Sequence, residues 1–386
     1  MRKFGFKSVF VIFLITISMF LTNNKGLIQI EKTAIVSAIG IDMEDGRLAV
    51  TAQIILPQAT NTSENAKAVV TGKGDTIGSA ITSIGSDTGW YPKLSFCKVL
   101  ILNQNIVDEK ITEVINYLLY STKIYDSVLI CASKQSAKDV LSATSPLDIL
   151  SSYSIEKIML KNPGKANAVY YTRAKDLAES MLSASKKGMI PLIDIENSDD
   201  IGKVEPSEKE PKENLKDVIF KSYTTLLLND GKISGRLDKT QTHFYNLLHK
   251  DVSDSYFDFT YGENKVLLKI NENKHKIKIS VKDGKVQLYL KLRLKSTLVD
   301  VDKNGEIVIL PTPKILTDEI ILHGTEYIKN SLLSLVEEMK SSQCDIFFIK
   351  QTLFERYHSD YFKLKNDCLD NLELIIDAKV ESPDKN

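Results

Sequence analysis

An α+β fold in more than one domain, with mixed and antiparallel β-sheets flanked by helices, follows from three features of the 386-residue sequence. Runs of alternating apolar residues are joined by Asp-Gly turns, the mark of antiparallel hairpins. Between them lie segments whose apolar residues return at helical spacing. A charged, proline-broken stretch in mid-chain separates two halves. The length suits two or three domains, each with its own core. Hydrophobic residues make up 43% and charged residues 26%, as in an ordinary folded protein, and Lys+Arg 50 against Asp+Glu 50 leave no net charge. Nothing globally basic therefore points to nucleic acid.

Residues 1–24 read as a signal peptide or N-terminal membrane anchor. The uncharged run VFVIFLITISMFL, Val9 to Leu21, follows Arg2, Lys3 and Lys7, and a basic start before an apolar segment addresses a chain to export. Its membrane-facing residues are Val9, Phe10, Ile12, Phe13, Leu14, Ile15, Ile17, Met19, Phe20 and Leu21. As a helix the run covers ~20 Å against a hydrocarbon core of ~30 Å, which suits a signal-peptide core. Counting from Phe4 with Lys7 snorkelling gives about 18 residues, which suits an uncut anchor. TNNKG beyond it holds no small-x-small cleavage site and no cysteine, so cleavage and retention both stay open. Either way the remainder is expected outside the cytoplasm.

Residues 25–195 form the first α/β part. TAIVSAIGID (33–42) and RLAVTAQIILP (47–57) make a hairpin through Asp45-Gly46. A polar loop, 58–67, leads to a strand at Ala68 to Thr71. Asp75 or Thr76 then caps a helix whose apolar side is Ile77, Ala80, Ile81 and Ile84. Glycines 72, 74 and 78 are spaced GxGxxxG without a following Gly-Lys-Ser/Thr, so they read as a turn and helix cap rather than a phosphate loop. A strand is expected over Phe96 to Leu102, beside a turn that carries Trp90. A helix follows over Asn105 to Tyr120 with Ile111, Val114, Ile115 and Leu118 buried, then a strand over Ser127 to Ala132, in the order of a crossover. Helices over 136–143, 147–160 and 173–186 and a strand over 189–195 complete this part.

Residues 196–217, ENSDDIGKVEPSEKEPKENLKD, cannot bury apolar surface and read as a charged linker. Residues 218–386 form the C-terminal α+β domain. A strand over Val218 to Leu228 turns at Asn229-Asp230-Gly231, and a helix follows over Lys239 to Leu248. Val266, Leu268 and Ile270 alternate, and Ile277, Ile279 and Val281 face Val286, Leu288, Leu290, Leu292 and Leu294 across Lys282-Asp283-Gly284-Lys285. Lys278, Lys291, Arg293 and Lys295 fall on the opposite, wet face, which suits solvent or anionic lipid. Asp300 to Gly305 imitates a calcium loop, but its twelfth position is Pro311, so it reads as a hairpin turn. The longest helix spans Leu316 to Lys340 with Ile321, Ile328, Leu332, Leu335 and Met339 inward, a second runs from Asp345 to Tyr361, and an antiparallel strand carrying Leu372 to Val380 ends the sheet.

Chemistry is scarce. Cys97, Cys131, Cys344 and Cys368 make no CxxC, their pairing is open, and buried free thiols fit them best. His243, His249, His275, His323 and His358 make no HExxH, and no GxSxG, Walker or kinase motif is present. No catalytic, cofactor or metal residue is expected, and the chain reads as non-enzymatic.

The order of TAIVSAIGID, GKGDTIGSAITSI, KLSFCKVLILN, NDGKISGRLDKTQTHFYNLL, the hairpin Ile277 to Leu294 and the closing helices with Gln343 and Asp345 resembles the Ger(x)C family, the exported C-subunits of bacterial spore germinant receptors. The likeness runs from Thr33 to Val380. It departs from the family at the lipobox cysteine, since no cysteine precedes Cys97, at NNKGLIQIEK, and at QCDIFFIKQTLFERYHSDYF. The resemblance implies a non-enzymatic subunit of a nutrient germinant receptor. It implies a place on the outer side of the spore inner membrane or cell membrane, beside integral-membrane A and B subunits. The missing cysteine moves anchoring from a lipid to Val9–Leu21. A competing reading, an exported solute-binding protein of a transport system, predicts a two-lobed doubly wound fold with a ligand cleft between lobes. An exported hydrolase with scattered acidic residues is a third.

Overall fold

A computed structural model of the chain describes residues 2–21, 32–56, 67–120, 124–160, 169–197, 218–303, 306–307 and 316–383. Helix α1 (Arg2–Leu21) comes first. Strands β1 (Thr33–Glu44) and β2 (Arg47–Ile55) form the expected hairpin. Its turn requires positive φ at both Asp45 (50°) and Gly46 (75°), which these two residue types tolerate. The expected loop at 58–66 lies outside the described residues. Strand β3 (Lys67–Gly74) pairs with β2. Thr76 then caps α2 (Ile77–Thr88) in a capping box with Ser79, and the helix buries the four expected residues.

Gly72 and Gly74 prove to lie within β3 rather than in a turn. A Cβ on Gly72 would stand 2.2 Å from the Ala80 carbonyl oxygen, and one on Gly74 2.3 Å from Ser79 Oγ. These glycines let α2 rest directly on the strand.

Strand β4 (Tyr91–Lys93) lies parallel to the start of β1. The strand expected from Phe96 begins only at Val99, as β5 (Val99–Asn103), because Leu94–Phe96 form a 3-10 turn closed by Cys97 N–H to the Leu94 oxygen at 2.9 Å. Helix α3 (Gln104–Tyr120) buries its predicted stripe and delivers β6 (Leu129–Ser133) parallel to β5, the crossover anticipated from sequence. The next helices are shorter than their apolar spacing suggested: α4 (Ala137–Ser142), α5 (Ser151–Leu160) and, after β7 (Thr172–Arg173), α6 (Ala174–Leu182). Strand β8 (Lys187–Asn197) runs parallel to β6.

The first sheet continues across the charged stretch. Strand β9 (Val218–Asn229) pairs antiparallel with β8 from Lys187↔Asn229 to Asn197↔Val218, and β10 (Lys232–Leu237) folds back onto β9. Residues 198–217 lie outside the described residues. Among the described residues the order is β10-β9-β8-β6-β5-β1-β2-β3, with β4 on β1 and β7 on β6. Its centre is parallel and its two ends antiparallel. One face is covered by α2, α3 and α6, the other by α4 and α5.

Asp238 caps α7 (Lys239–His249) in a capping box with Gln241, and three strands follow: β11 (Ser255–Tyr261), β12 (Asn264–Lys282) and β13 (Lys285–Lys303). The β12–β13 register sets Val281 opposite Val286, Ile279 opposite Leu288 and Ile277 opposite Leu290, as the alternation requires. Bulges at Leu267/Leu268 and Ile270/Glu272 keep β12 continuous where the alternation changes phase. Strand β14 (Glu306–Ile307) pairs with the end of β13, so the calcium-like segment closes a hairpin. Its residues 304–305 and Pro311 lie outside the described residues. Thr317 caps α8 (Asp318–Ser342), which lies on the apolar face of this sheet, followed by α9 (Ile349–Arg356), α10 (His358–Leu364) and β15 (Glu373–Glu381).

The last strand corrects the antiparallel expectation: β15 runs parallel to β13, from Gln287↔Glu373 to Lys295↔Glu381. At ~1.5 Å per residue α8 carries the chain ~37 Å back, to the end where β13 begins, so the strand after it starts there too. The α+β class with mixed sheets flanked by helices holds. Met189 and Leu227 of the first sheet belong to the same apolar core as α7, α8 and the second sheet.

Candidate functional site

Of the ten residues expected to meet a membrane, Val9, Phe10, Ile12, Phe13, Leu14, Ile15 and Ile17 all expose their side chains along α1, from 37% to 65%. The side chains of Met19, Phe20 and Leu21 lie outside the described residues. The apolar residues ring the helix instead of forming a stripe, the pattern of a segment surrounded by an apolar medium. Thr16 donates its hydroxyl to the Ile12 oxygen at 2.8 Å, so this side chain is satisfied within the helix. Among the described residues no helix is long and apolar enough to cross a membrane.

The residues that sequence reasoning missed sit where the two sheets meet. Lys187, at the start of β8, is only 2% exposed. Its ammonium donates to the Ile346 oxygen at 2.8 Å and to Tyr245 Oη at 3.4 Å, and lies 3.7 Å from the centroid of the Phe348 ring. Phe348 takes a left-handed backbone (φ 58°) immediately before α9. Burial pushes the Lys187 pKa down to about 8, opposed by the nearby Cys344 and Asp345.

Asp345 is fully buried and spends its carboxylate on the start of α9. One oxygen accepts from the Ile349 N–H at 2.8 Å. The other accepts from the Lys350 N–H at 2.7 Å and from Ser185 Oγ at 2.6 Å. Ser185 Oγ accepts in turn from the Gln351 N–H at 3.1 Å, and Gln351 Oε1 accepts from the Ala184 N–H at 2.7 Å. The N-terminal donors of one helix are thus satisfied by a carboxylate and by the turn that precedes β8. A hint was present in the sequence: an aspartate just ahead of the apolar run IFFI is a helix-start pattern. No signal marked Lys187.

Other groups of chemical interest serve packing. All four cysteines are free and buried. Burial drives the thiol pKa up to about 12 at Cys97 and Cys344, to about 11 at Cys368, and higher still at Cys131. Cys344 donates to the Leu228 oxygen at 3.2 Å. His243 is buried beside Ser255 Oγ at 3.3 Å, and burial, with help from Lys239, lowers its pKa to about 4. Asp42 accepts from the N–H groups of Ala137 and Lys138 at 2.7 and 3.0 Å, its pKa raised by burial. Among the described residues no group of three or more His, Cys, Asp or Glu is placed to hold a metal.

A groove of about 790 Å³ lies between α2 and α3, beside Ile77, Glu113 and Tyr117, on the outer face of the first sheet. The boundary between the two halves, where a solute-binding protein places its ligand, is filled instead by Lys187, Tyr245, Phe347 and Phe348.

Two family models match the chain: the spore germination protein N-terminal domain over residues 27–195 and the spore germination B3/GerAC-like C-terminal domain over residues 224–382. Among solved structures, the crystal structure of the GerBC protein aligns with 89% of this chain and 96% of its own, at 13% identity and a TM-score of 0.49. No curated protein matches the chain.

Proposed function

Since the chain belongs to the GerAC-like family of spore germination proteins, we propose that it works as the membrane-held C-subunit of a nutrient germinant receptor, assembled with integral-membrane A and B subunits. The observation that carries this reading is the pair of family matches, which between them take in both sheets and nearly every helix of the folded body. The family is not one of enzymes, and the reading makes this subunit non-enzymatic. In support, Lys187, Asp345 and His243 are spent on internal contacts rather than presented to a substrate. The exposed apolar run of α1 serves as leader or retained anchor, with the body on the outer side of the spore inner membrane or cell membrane.

Fractionation of spores carrying a C-terminally tagged chain tests this. The chain is expected in the inner-membrane fraction, with the A and B subunits recovered beside it after mild detergent extraction, and its deletion abolishes the response to a nutrient germinant. Ile12→Lys with Leu14→Lys, each costing about 3 kcal/mol in an apolar segment, should move the chain out of the membrane fraction. Wild-type chain in the soluble fraction, or a deletion strain that germinates normally with every nutrient, defeats the reading.

A further inference from the structure

One face of the second sheet carries charge that works against its own folding. In the β12–β13 ladder Lys274 stands opposite Arg293, Lys276 opposite Lys291, and Lys282 opposite Lys285. Like charges set directly opposite destabilise an antiparallel pair. Lys278, opposite Tyr289, extends the same face. Strand β15 returns part of the missing negative charge. Asp377 accepts from Arg293 Nη2 at 3.2 Å and from Tyr289 Oη at 3.1 Å, and Glu381 lies 3.8 Å from Arg293. That compensation falls on the β13 side. On β12, among the described residues, Lys276 and Lys278 form no ion pair, and Lys274 reaches Glu272 only at 4.0 Å. A chain of zero net charge has gathered an excess of cations onto one face of this sheet.

We propose that this face lies against an anionic bilayer surface, with Lys274, Lys276 and Lys278 among the lipid headgroups. The ladder spaces its side chains about 5 Å across and about 7 Å along the strands. That spreads the cations over one sheet face, as anions are spread over a headgroup layer, rather than gathering them around one compact ligand. Tyr289 and, opposite it in register on β15, Ile375 at 43% exposure add the mixed aromatic and apolar character of a headgroup contact. The inference rests on the membrane-held reading, in which a retained α1 keeps the face within reach of a bilayer.

The test floats full-length chain with vesicles of phosphatidylcholine alone or with phosphatidylglycerol added, then acylates lysines and reads each site by mass spectrometry. Lys274, Lys276 and Lys278 are expected to react several-fold more slowly on the anionic vesicles, while the exposed Lys329 of α8 reacts alike on both. Salt at about 1 M, where the Debye length is about 3 Å, erases the difference. So does the pair Lys276→Glu and Lys278→Glu. Equal labelling on chain that floats with both vesicles overturns the docking face and leaves the anchor standing. Floating with the anionic vesicles alone removes the anchor, and the face then stands only if these lysines are protected there; floating with neither overturns both. Protection that appears only when receptor subunits are added to the vesicles also overturns it, in favour of an acidic protein partner.

Discussion

Lys187 Nζ donates to the main-chain oxygen of Ile346 at 2.8 Å, a bond from the first sheet to the turn before α9 that bridges 159 positions of sequence. Its pKa near 8 lies below the ordinary 10.5, so between those values the unfolded chain binds a proton that the folded chain does not. Stability from this group therefore rises as pH climbs from 8 toward 10.5. Lys187→Met removes the titration. Urea midpoints of wild type and variant, compared from pH 8 to 9.5, should differ by a quantity that changes about 2 kcal/mol in favour of wild type with rising pH. A pH-independent difference is the contrary result.

Asp345→Ala strips the acceptor from the N–H groups of Ile349 and Lys350 and from Ser185 Oγ. Buried donors left unmet cost roughly 1–3 kcal/mol each, so with three donors a loss of at least about 3 kcal/mol is expected, with Asp345→Asn losing less. Hydrogen exchange should speed first in α9. Faster exchange spread evenly over the second sheet, with α9 unaffected, contradicts the assignment.

His243 makes the fold sensitive to acid. Its folded pKa of about 4 lies below the ordinary 6.5, so protonation favours the unfolded chain. Its contribution is complete above 6.5 and is lost as pH falls toward 4. Wild type should lose about 2–3 kcal/mol more than His243→Gln over that interval, read from denaturation midpoints.

Gly72→Ala places a methyl where the Ala80 carbonyl oxygen stands 2.2 Å away, and backbone has to move. The expected cost is about 1–3 kcal/mol. Gly46→Asn, at a turn where a Cβ meets nothing within 4 Å and Asn accepts the positive φ, should cost only a few tenths. Equal effects at the two sites contradict the close approach of α2 to β3.

What could be read from the sequence was local. Asp45-Gly46, Asp230-Gly231 and Asp283-Gly284 announce their turns because few other pairs tolerate positive φ, and Thr76 and Asp238 announce helix starts through their own side chains. The β13–β15 pairing was legible as to face and not as to direction, because alternation carries no information on which end a strand starts from. The continuation of the first sheet beyond residue 217 was hidden by the composition of the stretch before it. Lys187 was illegible for a third reason: a lysine reads as surface until the groups that satisfy it are known, and its main-chain acceptor on Ile346 lies 159 positions away. Asp345 was legible only as a helix start, because its Ser185 partner lies 160 positions away.

The pairing of Asn197 with Val218 has a consequence for handling this protein. Whatever lies between them is fastened at both ends to one rung of the same ladder. A protease that cuts there should give two bands on a denaturing gel and a single undiminished particle in size exclusion. A fluorescent reporter spliced in between Asn197 and Val218 should leave the β8–β9 pairing in place.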